Sequence, residues 1–301
     1  MTIERLTKLG EWSSPLEMAV GSRQYHKQEA RRKGPIAIYR SEDQKEFLRV
    51  GPQPVIKSLI QKRQRMEMAG FAVPKFIAEG PYDTSYYYVE TSLGPAHFGE
   101  IFANEVREHG HIQAASFDAC MKTIRAFIKT QLTSRARNDG WDAFWGEVGI
   151  HDLGLGNEKM GKALTERKTR AEETLASFPF VLCHGDFNPF NIFATGIIDF
   201  EHSIYGPALY DALGLLTTEN YFSSAYDDEL EFKKLFGFSQ DQRESYTRML
   251  RQFYAEHGLP DPLGILDDID FIKLVWKLNR MQHAPRLRAF RMRHLEKLIA
   301  G

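Results

Sequence analysis

His184-Gly185-Asp186-Phe187-Asn188-Pro189-Phe190-Asn191, with Ile197-Ile198-Asp199-Phe200-Glu201 close behind it, decides how this chain reads. Asp186 heads a polar loop, Asn191 follows five residues on, and Asp199 comes eight residues after that. Val181-Leu182-Cys183 and Asn191-Ile192-Phe193 have the composition of short apolar strands on either side of the loop. Ala194-Thr195-Gly196 is turn chemistry, and a third strand is predicted from Gly196 to Phe200. A hairpin of that kind returns Asp199 to the side of Asn191. One carboxylate facing an acceptor, with an amide oxygen and a second carboxylate side by side, provides a base and two hard oxygen ligands for magnesium. That is the minimum set for phosphoryl transfer from ATP. Asp and Asn also cap ordinary turns, and the coincidence of two motifs at matched spacing favours chemistry over capping.

These residues resemble the Brenner motif of the aminoglycoside phosphotransferase and choline kinase superfamily, relatives of the protein kinases. That motif runs His-Gly-Asp, four variable residues, Asn, then a strand ending in Ile-Asp with an aromatic and an acidic residue, and each part is present here. The resemblance implies an α+β, protein-kinase-like, two-lobed fold. A small N-terminal antiparallel sheet lobe over residues 1–93 would bind the nucleotide, and a larger, mostly helical C-terminal lobe over 94–301 would carry catalysis and the acceptor. It also implies Asp186 as the catalytic base, Asn191 and Asp199 as magnesium ligands, His184 as a support of the loop backbone, and Glu201 as a residue behind the metal ligands. Tyr205-Gly206-Pro207-Ala208-Leu209-Tyr210-Asp211 is similar to the family segment that follows the second ligand, so Asp211 is expected to tie the loop to the next helix. ATP with Mg2+ is the implied cofactor set, with GTP as the alternative donor.

The N-terminal third carries strand signals at Leu16 to Val20, Pro35 to Tyr39 and Glu46 to Val50, the last closed by Gly51-Pro52, and then a helix from about Val55 to Ala69 ended by Gly70. The family places a phosphate-binding Lys on the third strand, and Arg49 occupies the matching position. Arg keeps the cation and offers a planar fork in place of a compact ammonium. The helix lacks the family's mid-helix Glu partner: Gln61 and Gln64 lie near the expected place and Glu67 comes late. Gly21 to Gly34 reads as one long, positively charged loop, in which Ser22 and Arg23 are the phosphate candidates; a plain solvated loop is the other reading. Val73-Pro74 resembles the family's entry into a fourth strand. Tyr86 to Glu90 reads as the fifth strand and Thr91 to Gly94 as the hinge, with Glu90 and Ser92 meeting the adenine edge through main chain.

A chain of 301 residues with 43% hydrophobic content can build the cores of two lobes. Its net charge of −1 gives no global pull toward nucleic acid, so a small partner is expected. Cys120 and Cys183 have neither zinc nor redox spacing. The start from Met1 lacks a signal-peptide run and no stretch reaches the length of a membrane span, so a cytoplasmic, membrane-free setting is expected. Phe117, Cys120, Met121, Ile124 and Ile128 predict a helix capped by Ser116, and further helices are predicted around Glu158–Ser177, Asp228–Phe236, Gln240–His257 and Asp267–Met281. His109-Gly110-His111 lacks a third ligand, Trp141 and Trp145 read as a core stripe, and Arg286, Arg288, Arg291, Arg293 and Lys297 read as a solvated basic face.

The function implied is a small-molecule kinase with a hydroxyl acceptor. In the aminoglycoside and amino-alcohol branches of the family that the chain resembles, acidic side chains of the helical lobe bind cationic acceptors. By that resemblance Asp227, Asp228, Glu229, Glu231, Asp261, Asp267, Asp268 and Asp270 tilt the acceptor toward an aminated compound: an aminoglycoside, another antibiotic, an amino alcohol or an amino sugar. A catalytically idle nucleotide-binding regulator would keep the same fold and is the alternative. A protein kinase is disfavoured, because the chain lacks a His-Arg-Asp loop, an Asp-Phe-Gly triplet and an Ala-Pro-Glu segment.

Overall fold

A computed structural model describes residues 17–28, 35–134, 140–153, 158–217, 237–280 and 285–300. The chain divides into two compact units. One comprises Met1–Ala96 together with Phe193–Glu201, and the other comprises His97–Ile192 and His202–Gly301. The motif that opened the sequence analysis is therefore shared out: Asp186 and Asn191 belong to the second unit, Asp199 and Glu201 to the first.

The first unit is built on an antiparallel sheet in the order β1-β2-β3-β4-β6-β5. Its strands are β1 (Glu17–Val20), β2 (Arg23–Lys27), β3 (Ala37–Ser41), β4 (Glu46–Gly51), β5 (Phe76–Tyr82) and β6 (Ser85–Thr91). Strand side chains alternate between faces, so Ala37, Tyr39, Leu48, Val50 and Val89 meet on one side, joined by Met18 and Tyr25. On the other, Ile56 and Ile60 of helix α1 (Gln53–Met68) pack with Tyr88. Arg49 is aligned with Ile38 on β3 and Tyr88 on β6, so it projects from the face that α1 covers. The helix stops at Ala69, and Gly70 at φ +89° turns the chain back, its N–H donating to the Glu67 carbonyl at 2.9 Å.

Two expectations for this unit are corrected. The stretch read as one loop from Gly21 contains β2, joined to β1 by the two-residue turn Gly21-Ser22, with Val20 opposite Arg23. Only Tyr25 of β2 is buried, so the strand lacks the apolar alternation that would announce it. Residues 29–34 of that stretch, and Leu16, lie outside the described residues. The third strand of the motif also ends early: after β8 (Ile192–Phe193), β9 is only Gly196–Ile197, and Phe200 already belongs to a 3₁₀ turn. Asp199, at φ +68°, takes a left-handed conformation that no extended strand can contain.

The second unit is mainly helical. It comprises α2 (Phe98–His109), α3 (Ala114–Thr133), α4 (Trp141–Val148), α5 (Glu158–Leu175), α6 (Tyr210–Thr217), α7 (Gln240–Glu256), α8 (Leu266–Arg280) and α9 (Pro285–Ala300). One antiparallel ribbon, β7 (Phe180–Cys183) with β10 (Ile204–Pro207), joins them. Helix α3 starts two residues before the expected Ser116 cap, whose hydroxyl instead donates to Glu105. Every residue of α8 from Asp268 to Trp276 is buried. A helix buried all round must find partners for its charges. Asp268 takes Arg167, Asp270 takes His294 at 3.0 Å, and Lys273 takes the Gly185 carbonyl.

Trp145 is wholly buried among Trp141, Phe144 and Phe271. Arg291 is also buried, so the basic residues of α9 do not form one solvated face. The predicted helix Asp228–Phe236 and the acceptor candidates Asp227, Asp228, Glu229 and Glu231 lie outside the described residues. Among the described residues, no helix is long and apolar enough to cross a membrane.

Candidate active site

In the second unit the site grows from the end of β7. His184 follows the strand and is fully buried, with its ring edge-on to Phe187 at 6.0 Å. Phe187 in turn stacks on Phe127 of α3 at 4.3 Å. Between His184 and Asp186 the chain needs glycine: Gly185 sits at φ +90°, and a Cβ there would lie 2.0 Å from the His202 carbonyl oxygen.

The backbone of this turn is held by a carboxylate. Asp211, in the first turn of α6 and fully buried, accepts from His184 N–H at 2.7 Å and from Gly185 N–H at 3.0 Å, one on each oxygen. Gln131 of α3 donates to the same carboxylate at 2.8 Å and to the Leu182 carbonyl at 3.3 Å. Lys273 of α8 donates to the Gly185 carbonyl at 2.8 Å, with its ammonium 4.0 Å from Asp211.

Beyond the turn, the Asp186 carbonyl accepts from the Asn188 amide at 3.0 Å and from the Asn191 amide at 2.9 Å. The Asn188 oxygen caps a 3₁₀ turn over Pro189–Asn191 by accepting from Phe190 N–H at 2.9 Å. Phe190 lies flat against Gly99 of α2, where a Cβ would come within 2.6 Å of the ring. Asn191 thus spends its N–H₂ on Asp186 and presents its amide oxygen on the opposite side. Burial works against the Asp186 carboxylate, but Lys277, His202, His184 and Lys273 outweigh it and hold its pKa below the usual carboxylate range. Asp186 is ionised at neutral pH.

In the first unit the cation of β4 has a partner the sequence did not identify. Arg49 Nε donates to Glu90 Oε1 at 3.0 Å, and both side chains are largely buried. Arg49 lies opposite Tyr88, and Glu90 is two residues on along β6, so the pair is a diagonal cross-strand contact on one face of the sheet. Burial penalises the Arg49 cation, while Tyr88, Glu90 and Asp199 outweigh that cost and raise its pKa. Asp199 thus adds negative charge to the surroundings of Arg49.

Gln61 and Gln64 on α1 are exposed, and Glu67 is occupied by Arg63 at 3.0 Å. The Glu90 side chain is committed to Arg49, a contact separate from the main-chain role expected of this residue. Glu90→Gln is expected to lower stability by about 2 kcal/mol, the worth of a hydrogen bond to a charged group, read as a shift in the urea unfolding midpoint. An unmoved midpoint would show that the pair adds nothing.

The remaining candidates of this unit are placed as follows. Ser22 is exposed in the β1–β2 turn, and Arg23 beside it pairs with Glu46, which also accepts from the Tyr25 hydroxyl at 2.6 Å. Ser92 N–H donates to the Lys45 carbonyl at 2.6 Å and its hydroxyl to the Gly94 carbonyl at 2.9 Å, so the segment read as a hinge from the sequence is internally braced. The Thr195 hydroxyl donates to the Leu93 carbonyl, and the Ile197 N–H to the Ala72 carbonyl at 2.9 Å. The Glu201 carbonyl accepts from Lys62 of α1.

Sequence reasoning missed Gln131, His202, Lys273 and Lys277. The signal for Lys273 was present, since a lone cation inside Phe271-Ile272-Lys273-Leu274-Val275-Trp276 has to be buried and paired. Of the acidic acceptor candidates on described residues, Asp261 pairs with Arg251 at 3.1 Å, Asp267 is exposed in the first turn of α8, and Asp268 and Asp270 are occupied within the core as given above. His109 and His111 gain no third ligand: among the described residues, no group of three His, Cys, Asp or Glu side chains could hold a metal ion.

Comparison with known proteins gives a consistent result. The model of the phosphotransferase enzyme family matches residues 43–249. No curated protein matches the chain. Among solved structures, it is similar to a thermostable mutant of aminoglycoside phosphotransferase APH(4)-Ia in ternary complex with ADP and hygromycin B. The TM-score is 0.60 and the identity 10%, over 92% of this chain and 93% of that one. A choline/ethanolamine kinase family protein from Mesorhizobium loti gives a TM-score of 0.54 and 13% identity, over 99% of this chain and 92% of that one. At these identities the likeness is one of fold: a kinase-like architecture with an antiparallel N-terminal sheet and a helical remainder.

Proposed function

The chain belongs to the phosphotransferase enzyme family, and on that premise we propose that it is a small-molecule kinase. It transfers the γ-phosphoryl group of ATP, or of GTP, to a hydroxyl of an acceptor such as an aminoglycoside, another antibiotic, an amino alcohol or a sugar. The observation that carries this reading is Asp186, a carboxylate held ionised by neighbouring basic groups on a loop whose backbone is anchored on both sides. The ADP and hygromycin B bound by the APH(4)-Ia protein support a site for a nucleotide and a hydroxyl-rich acceptor in this fold.

In this reading Asp186 accepts the hydrogen bond of the acceptor hydroxyl, aligns it for in-line attack and takes its proton as the new oxygen–phosphorus bond forms. Arg49, steadied by Glu90, reads the phosphate oxygens. The Asn191 amide turns its N–H₂ to the Asp186 carbonyl and so offers oxygen, and Asp199 carries a carboxylate, each a donor of the hard chemistry that magnesium prefers. These two residues would hold magnesium, which when bound neutralises charge on the phosphates. Asp211 and His184 act on the loop backbone, and Ser22, Arg23, Ser92 and Glu201 surround the nucleotide.

The test is nucleotide consumption by the purified chain with MgATP or MgGTP, across hydroxylated amines, sugars and antibiotics. At least one acceptor class is expected to raise the rate above the acceptor-free level. MgATP binding with no consumption under any acceptor would instead identify an idle nucleotide-binding regulator.

A further inference from the structure

We propose that Lys273 is a positioning residue, which fixes the peptide between Gly185 and Asp186 and thereby aims the Asp186 carboxylate. The inference rests on the kinase reading above for its kinetic arm and on geometry alone for its structural arm. Four observations converge on the Lys273 ammonium. It donates to the Gly185 carbonyl at 2.8 Å. It stands 4.0 Å from the Asp211 oxygen that accepts the Gly185 N–H. It lies 3.5 Å from the centre of the Tyr210 ring, within cation–π reach. The helix facing it makes room: a Cβ on Gly214 of α6 would come 2.7 Å from Lys273 Cε.

The consequence follows from the two polar groups of Gly185. Its N–H is held by a carboxylate and its carbonyl by an ammonium, and those two charges lie beside each other, so neither end of the residue can turn without breaking a charge-assisted hydrogen bond. Gly185 has no side chain to restrain it and occupies a left-handed conformation, so the orientation of the peptide that follows it depends on such contacts. The next residue is Asp186. Rotation of the intervening peptide would swing its carboxylate away from an acceptor hydroxyl, and misplacement by about 1 Å is enough to cost about 100-fold in rate. Burial lowers the pKa of Lys273 against the opposing pull of Asp211 and Asp186, as expected of an ammonium retained in the interior for the contacts it makes.

Two variants and one spectroscopic signal test this. Lys273→Met removes the donor while keeping the side-chain volume. Because it also strips the charge opposite Asp211 and so puts the fold itself at risk, Gly214→Ala is the second arm. Its methyl displaces the Lys273 tail, keeps the charge, and sits in a helix where alanine is favoured over glycine. In each folded variant the rate of MgATP turnover is expected to fall by about 10- to 100-fold, with the ATP Kd within about threefold of the parent. The ¹⁵N amide resonance of Asp186, which reports on the Gly185–Asp186 peptide, is expected to move. In the double variant, Gly214→Ala is expected to add little to Lys273→Met, since the tail it displaces no longer carries the ammonium.

A folded Lys273→Met or Gly214→Ala protein with the parental rate overturns the proposal, as does a lost rate with an unmoved Asp186 resonance. Failure of the kinase reading is recognised separately, by a parent chain that turns over no MgATP. In that case the resonance alone decides, and an unmoved Asp186 signal overturns the positioning role.

Discussion

Asp186→Asn is expected to lower kcat by about 10²- to 10⁴-fold, the usual contribution of a placed general base, while the ATP Kd stays within about threefold. The substitution preserves size and the backbone carbonyl to which Asn188 and Asn191 donate, so the 3₁₀ turn and the Asn191 amide keep their places. What it removes is the carboxylate charge that Lys277, His202, His184 and Lys273 stabilise. An amide has no basicity near neutral pH, and its N–H₂ would point a donor at the acceptor hydroxyl. The nucleotide contacts we assign to Arg49 lie in the other unit and are untouched. Steady-state kinetics beside fluorescent-nucleotide titration separates the two quantities. Parental turnover would remove Asp186 from the role of base, and equal losses in turnover and binding would make it a structural residue.

The second large effect is on stability. Asp211→Asn is expected to destabilise the chain by about 3–5 kcal/mol, the cost of breaking a buried charge pair from one side. Its carboxylate is fully buried and each oxygen is occupied: one by His184 N–H and the Gln131 amide, the other by Gly185 N–H with Lys273 nearby. An asparagine must turn its N–H₂ toward one of those pairs. Either choice sets donor against donor, and both leave the Lys273 ammonium without its counter-charge. Urea unfolding monitored by circular dichroism measures the loss. A variant within about 1 kcal/mol of the parent would show that the buried network relaxes far more than its geometry suggests.

The proposed centre of the site could be read because phosphoryl transfer restricts which residues can serve it: a carboxylate, an amide oxygen and a second carboxylate at set intervals leave few alternatives. What the structure adds is the fixed geometry of the loop, where Gly185 is demanded by a carbonyl two ångströms from where a side chain would start. The partner of Arg49 was not legible. Glu90 is forty-one residues away, and only the register of β4 against β6 makes them diagonal neighbours. Strand β2 escaped notice because its sole buried residue, Tyr25, gives no alternation to detect. Helix α8 lay between these extremes. Its apolar run marked Lys273 as interior, but that its ammonium would meet the Gly185 carbonyl depends on tertiary packing across eighty-eight residues of chain.

The strand-to-strand origin of the Arg49–Glu90 pair bears on control. In protein kinases the corresponding cation is partnered from a mobile helix, and moving that helix switches the enzyme off. Here both members are rooted in adjacent hydrogen-bonded strands, so no helix swing can part them without tearing the sheet. In the kinase proposed here, the cation assigned to the phosphates would be set in place once the sheet has folded, with no helix movement to release it.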